Sequence, residues 1–106
     1  MSEQSARLSD VKEKYMADTV VRKHIIFYGR VQDVGFRYFS VYKARLLGLA
    51  GWVKNLDDGS VEMEVQGKEA EIDTLIQFLD GHRWIRIDAM DVENIAVIPD
   101  HDFVER

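Results

Sequence analysis

Between Lys23 and Pro99 the apolar positions switch repeatedly between two periods, and each switch marks an element. The run KHIIFYG is β-branched and aromatic over a strand's length and stops at Gly29, which predicts a first strand. From Phe36 the spacing becomes helical, with Phe36, Ser40, Ala44 and Leu47 on one stripe and Gly48 as the stop. The small residues in that stripe would let the helix lie close to a sheet. LAGWVKNL, DDG and SVEMEVQ read as a hairpin in which Val61, Met63 and Val65 face one way and Glu62, Glu64 and Gln66 the other. Ile72, Leu75, Ile76 and Leu79 then predict a second helix, whose positive start is complemented by Glu69, Glu71 and Asp73 and whose end is marked by Gly81. VENIAVIP, closed by Pro99, supplies a fourth strand.

The order strand, helix, strand, strand, helix, strand (βαββαβ) is the split βαβ arrangement of the α+β ferredoxin-like sandwich, a mixed sheet with two helices on one face. A helical crossover joins the first two strands, so they run parallel and end at the same edge of the sheet. GRVQDVGFR and VKN are therefore expected to meet there, at the edge ligands favour in such sheets. Residues 1–21 differ in character, with sparse apolar positions and charges of both signs. Leu8, Val11 and Tyr15 would line a short helix, with Asp10 and Glu13 in capping-box spacing, and a loose tail fits them equally. The expected division is an N-terminal extension over 1–21 and one domain over 22–106.

Composition narrows the chemistry. A chain of 106 residues has room for one core and one principal site. The formal net charge of -5 argues against nucleic acid as partner, although a small anion needs only a local cluster of cations. The absence of cysteine excludes disulfides, thiolate metal sites and a cysteine nucleophile. The polar N-terminus carries no apolar targeting core, and no run reaches the length of a membrane span, so a soluble cytoplasmic protein, monomeric by default, is expected.

A turn from Gly29 to Gly35 running into a helix leaves backbone N–H groups without intrahelical partners, and pointed inward these form a nest for a phosphate-sized anion. Arg37, in the first helical turn, offers a planar fork to two oxygens of the same anion, while Arg30 is free to point to solvent. A tight strand-to-helix turn with a surface arginine accounts for the same residues. Asn55, on the strand face shared with Gly51 and Val53, is an uncharged donor and acceptor able to hold a water, and it also suits the start of a turn.

Taken together, GRVQDVGFR and GWVKNLDDGSVEMEVQG (Gly51 to Gly67), with the intervening and following helices, resemble the acylphosphatase family over roughly residues 23–98. The resemblance implies a ferredoxin-like fold and hydrolysis of acyl phosphates, with an acyl phosphate as substrate and inorganic phosphate as product. It implies no metal, no cofactor and no covalent intermediate. By position Arg37 would bind the phosphate and Asn55 would orient the water. The loop formed by Gln32, Asp33, Val34, Gly35, Phe36 and Arg37 would cradle the phosphoryl oxygens through its amides. Asp33 stands where the family's loop has glycine; it is expected to tolerate positive φ and to face solvent, bonding a neighbouring amide or Arg30. GHRWIRID differs from the family's usual connection, and DHDFVER matches its last short strand only through Phe103 and Val104.

Other constellations have plainer readings. His24, His82 and His101 are too scattered for a metal spacing, and Glu62 with Glu64 suits a solvated strand face better than an acid and base pair. Trp52 and Trp84 read as core or rim residues, with Trp84, between Arg83 and Arg86, the better candidate for a partner contact. Among other uses of the fold, RNA stacking is opposed by the carboxylates of the third strand, and copper transfer by the lack of cysteine. An acylphosphatase-like domain also opens a larger carbamoyl-transferring maturation factor, whose partner domain is not expected here within 106 residues. The remaining alternative to the enzyme is a catalytically weak anion-binding or protein-interaction domain.

Overall fold

A computed structural model describes residues 19–106. The stretch holding Leu8, Val11 and Tyr15 lies outside the described residues. The elements are β1 (Val20–Arg30), α1 (Phe36–Leu46), β2 (Ala50–Asn55), β3 (Val61–Lys68), α2 (Glu69–Leu79), β4 (Arg86–Ile95) and β5 (Phe103–Glu105). They form a mixed sheet of order β4-β1-β3-β2-β5. β3 pairs antiparallel with both β1 and β2, which makes β1 and β2 parallel to each other, and β5 adds in parallel at the β2 edge.

Alternation decides which face of the sheet is covered. Ile25 and Phe27 of β1, Val53 of β2 and Val61, Met63 and Val65 of β3 are buried together with Ile72, Leu75 and Leu79 of α2 and with Phe36 and Ala44 of α1. Sealing each such aliphatic or aromatic side chain contributes about 1.5–3 kcal/mol. Phe36, Ser40 and Ala44 of the first-helix stripe are buried as the spacing predicts, while Leu47 is the C-cap and only partly buried, and the small Ser40 and Ala44 bring α1 close to the sheet.

Two boundaries differ from the sequence expectation. β1 begins at Val20, three residues before Lys23. The fourth strand runs over Arg86–Ile95, not Val92–Pro99, so part of GHRWIRID is strand and Ala96–Pro99 is not. The physical reason is that β4 is an edge strand the helices do not cover. Met90 and Val92, on the core side of their pairs with Phe27 and Ile25, stay exposed, so burial imposes no strict alternation and backbone pairing sets the bounds. That pairing shifts at Tyr28/Gly29, where Gly29 has φ 132° and an added Cβ would lie 2.3 Å from the Arg86 carbonyl oxygen.

Beyond β4 the chain crosses to the opposite edge of the sheet. Arg22, only 2% exposed, donates to Glu64, to Gln66 and to Asp100, and the Gln66 side chain both donates to the Ile98 carbonyl and accepts from the Ile98 amide. The Gly51 amide then donates to the Asp102 carbonyl, which sets β5 in register beside β2. Leaving either the buried guanidinium or its acceptors unpaired would cost several kcal/mol, on the order of 3–5, so this crossover is firmly held. Its consequence is to deliver Glu105 to the start of α1.

Candidate active site

The end of β1, the start of α1 and the end of β2 converge for identifiable reasons. Phe27 and Phe36 pack with ring centroids 4.9 Å apart, tying the last buried residue of β1 to the first of α1 and forcing the intervening loop into a tight arc. Val31 and Val34 turn into the core beneath it. The Gln32 side-chain amide donates to the Leu56 and Ser60 carbonyls, 2.7 Å each, and so fastens the loop to the β2–β3 turn. That turn is itself held by Asp58, which accepts from the Ser60 hydroxyl and amide. These bonds, first the hydroxyl's and then the amide's, hold the Asp58 carboxyl below its ordinary value.

The backbone of the loop is left-handed at two places. Asp33 has φ 61°, and Gly35, the N-cap of α1, has φ 82° with the Phe39 amide donating to its carbonyl at 2.9 Å. A Cβ at Gly35 would meet the Phe39 ring at 2.9 Å, so glycine is required there both by φ and by space. Among the described residues, no acceptor takes the N–H groups of Gln32 through Arg37. A nest of amides at a helix start is an anion site by geometry and by the helix dipole.

A cavity of about 230 Å³ opens over this arc, lined by Val31, Asp33, Gly35, Phe36, Arg37, Tyr38, Asn55 and Glu105. Arg37 and Asn55 are thus brought to one space, as are Asp33, Gly35 and Phe36. Phe36 turns its side chain into the core, so only its backbone is available to the cavity, while Val34 is partly buried against the core and does not line the cavity. Gln32 is set by its side chain as a brace. Arg30 is exposed and does not line the cavity.

Arg37 is oriented from β5. Its Nε lies 3.3 Å from Glu105 Oε2, and Nη1 donates to the Arg106 carbonyl oxygen at 3.2 Å, which leaves Nη2 to point elsewhere. The sequence does not single out Glu105, since Phe103 and Val104 are the only signal there and an acidic residue following an apolar pair is common. Asn55 is half-buried, lies on the core face opposite Val61, and its side-chain amide has no hydrogen-bond partner among the described residues. Its donors and acceptor are therefore available to a small polar molecule in the cavity.

Asp33 is exposed, as expected, but it bonds neither a neighbouring amide nor Arg30; among the described residues its carboxylate makes no hydrogen bond or ion pair. Asp33 is left-handed, with φ 61°, and lies exposed where it lines the cavity. The charged lining is one arginine against two carboxylates, and Glu105 is already matched to Arg37. Attraction for an anion must accordingly come from the amide arc together with the guanidinium.

Among the described residues no group of three or more His, Asp or Glu is arranged to hold a metal ion, and no helix is long and apolar enough to cross a membrane. His24 pairs with Glu62 on the open face of the sheet, remote from the cavity, where Lys54 also reaches Glu62.

Fold and cavity together define a ferredoxin-like sandwich with an arc of free amides, an arginine and an asparagine at its first strand-to-helix turn. The sequence matches the model of the acylphosphatase family over residues 23–104. The acylphosphatase of Bifidobacterium longum is 48% identical over 80 residues, covering 74% of this chain and 82% of the relative. That of Geobacillus thermodenitrificans is 45% identical over 80 residues, with 74% and 85% covered. The crystal structure of acylphosphatase from Bacillus subtilis superposes with a TM-score of 0.72 at 33% identity, covering 81% of this chain and 98% of that one. The chain belongs to the acylphosphatase family.

Proposed function

We propose that this protein hydrolyses acyl phosphates to a carboxylate and inorganic phosphate by direct attack of water on phosphorus. The observation that carries this reading is the meeting, around one cavity of about 230 Å³, of Arg37, Asn55 and a loop whose amides have no acceptor among the described residues. The phosphoryl oxygens take the amides from Gln32 to Arg37 and the free edge of the Arg37 guanidinium. Asn55 holds the attacking water. A bond forms from the water oxygen to phosphorus, the bond from phosphorus to the bridging oxygen breaks, and that oxygen's electron pair leaves with the carboxylate. The water's proton passes to a phosphoryl oxygen or to solvent.

Such a site needs little apparatus. A carboxylate leaves without being protonated, so a strong general acid is not required. Phosphoryl transfer asks mainly for positioning and for stabilisation of charge on the equatorial oxygens. Fixed amides and a guanidinium supply both without reorganising, and none of these steps calls on a metal. The same reading makes the protein a cytoplasmic monomer that engages neither nucleic acid nor membrane, with the residues before β1, which begins at Val20, as an extension to the catalytic domain.

Hydrolysis of acetyl phosphate, followed with and without EDTA for the wild type and Arg37→Ala, tests this proposal. The wild type should turn over equally in both conditions. Arg37 is half-exposed and outside the core, so the alanine variant should fold and lose activity by about a hundredfold or more, a loss of roughly 2.7 kcal/mol or more in transition-state stabilisation. Near-wild-type turnover by Arg37→Ala would remove the arginine from the site.

A further inference from the structure

Where α1 meets the end of α2, the two helices and the turn after α2 enclose an aromatic hollow of about 290 Å³, lined by Tyr38, Phe39, Tyr42, Phe78, His82 and Arg83. The His82 ring sits between the helices, its centroid 4.4 Å from that of Phe39 and 4.5 Å from that of Phe78, on which it stacks. These three rings make a fixed apolar floor. Tyr38 and Tyr42, one helical turn apart, remain 67% and 52% exposed beside it. The turn belongs to GHRWIRID, a segment to which hydrolysis gives no role. It is closed by bonds from the Gly81 amide to the Ile85 carbonyl, from the His82 amide to the Leu79 carbonyl and from the Ile85 amide to the His82 carbonyl. Within it Arg83 holds φ 57°, a conformation that glycine or asparagine adopts more readily, so the chain keeps an arginine where the backbone favours another residue. Among the described residues the Arg83 guanidinium has no hydrogen bond or ion pair. Trp84, next in sequence, is 71% exposed.

We propose that this surface docks an acidic segment of another protein, which seats one aromatic or large apolar side chain on the floor of Phe39, His82 and Phe78 and sets a carboxylate against Arg83. Charge complementarity selects the partner. The chain carries 19 acidic against 14 basic residues, yet no carboxylate lines the hollow. Asp80, on the same turn, is engaged by the Ile87 amide at 3.2 Å. Lys43 adds a second cation, 5.0 Å from the Phe78 centroid and without an ion pair among the described residues. Tyrosine, tryptophan and arginine are the residues that concentrate binding energy at protein interfaces. Tyr38, Tyr42 and Trp84 each keep more than half of their surface in solvent, more than one small ligand in a hollow of this size would cover, which favours a macromolecule. The net charge of -5 opposes nucleic acid as that macromolecule. Tyr38 also lines the phosphate cavity, so a docked segment stands beside the mouth of the cradle.

The test is selection of a displayed random-peptide library on the immobilised full-length protein, with inorganic phosphate present to occupy the cradle. The synthetic consensus peptide is then titrated into the wild type, Arg83→Asn and Tyr42→Ala. Asparagine suits the left-handed position and alanine suits the helix, so both variants should keep the wild-type Tm. The consensus should hold an aromatic or large apolar residue flanked by Asp or Glu, shift the NMR resonances of Phe39, Phe78 and His82, and bind each variant about tenfold more weakly or worse. Its affinity should fall as salt is raised. A basic or uncharged consensus, no consensus at all, shifts confined to other residues, or an affinity unchanged in either variant overturns the proposal. Oligothymidylate bound as tightly as the peptide would make the surface a nucleic-acid site, and indole-3-acetate bound as tightly would make it a small-ligand pocket. Either result equally overturns docking of a protein segment and leaves the hydrolase standing.

Discussion

Replacing Asp33 by glycine separates what the loop backbone does from what its carboxylate does. The residue already holds φ 61°, so Asp33→Gly asks for no change of backbone. Relief of the left-handed conformation gains about 1 kcal/mol or less for an aspartate, and the added freedom of glycine in the unfolded chain costs about 0.4–1 kcal/mol. The two nearly offset, and Tm should move little. The electrostatic part has wider bounds. A carboxylate about 4 Å from a bound phosphate opposes it by about 1 kcal/mol in water and about 4 kcal/mol near a protein surface. Asp33 is exposed at the rim with no protein partner among the described residues, which places it toward the watery limit. We therefore expect kcat/KM to rise by less than about tenfold, which is below roughly 1.4 kcal/mol. The gain should shrink as salt is raised, because charges in solvent are screened within about 10 Å at 0.1 M. The assay is initial-rate hydrolysis of acetyl phosphate by the two proteins at low and high ionic strength. A gain of about a hundredfold or more, insensitive to salt, would show the carboxylate directed at the phosphate and would refute this reasoning.

Two further outcomes are expected. Asn55→Ala should depress kcat far more than it raises the inhibition constant of inorganic phosphate, since Asn55 is proposed to hold water and not the phosphoryl group; equal losses would make it a ligand of the phosphate or a turn residue. Asp58 has its carboxyl lowered from 3.8 by the Ser60 hydroxyl and then the Ser60 amide. Its stabilisation is therefore complete above the unfolded value and lost as pH falls through the lower folded one, so the Tm gap between wild type and Asp58→Asn should close in that acid window. A gap that stays constant across it would mean that the Asp58 charge does not stabilise the turn.

Most of the fold could be read from the chain because burial leaves a periodic trace. Val61, Met63 and Val65 alternate because only one face of β3 is covered, and Ile72, Leu75 and Leu79 repeat because α2 lies on that face. The same logic explains the failure at β4, where Met90 and Val92 sit beyond the reach of the helices and nothing forces a pattern. At the site, the meeting of GRVQDVGFR with VKN follows from topology alone, since the β1 to β2 crossover requires it. The brace from Gln32 to the Leu56 and Ser60 carbonyls was not legible, because its acceptors are backbone atoms whose placement depends on the turn. Glu105 was hidden for another reason: it reaches Arg37 only through a crossover pinned by Arg22, Gln66 and Asp100, and none of these long-range bonds leaves a spacing in the sequence.

The claim at the centre is that water attacks phosphorus in the cradle of Gln32 to Arg37, and hydrolysis of benzoyl phosphate in ¹⁸O-enriched water tests it directly. Mass spectrometry of both products should find the label in inorganic phosphate and none in benzoate beyond solvent exchange. Label in benzoate would place the attack on the carbonyl carbon, where neither the amide arc nor Arg37 has a role, and would contradict the mechanism.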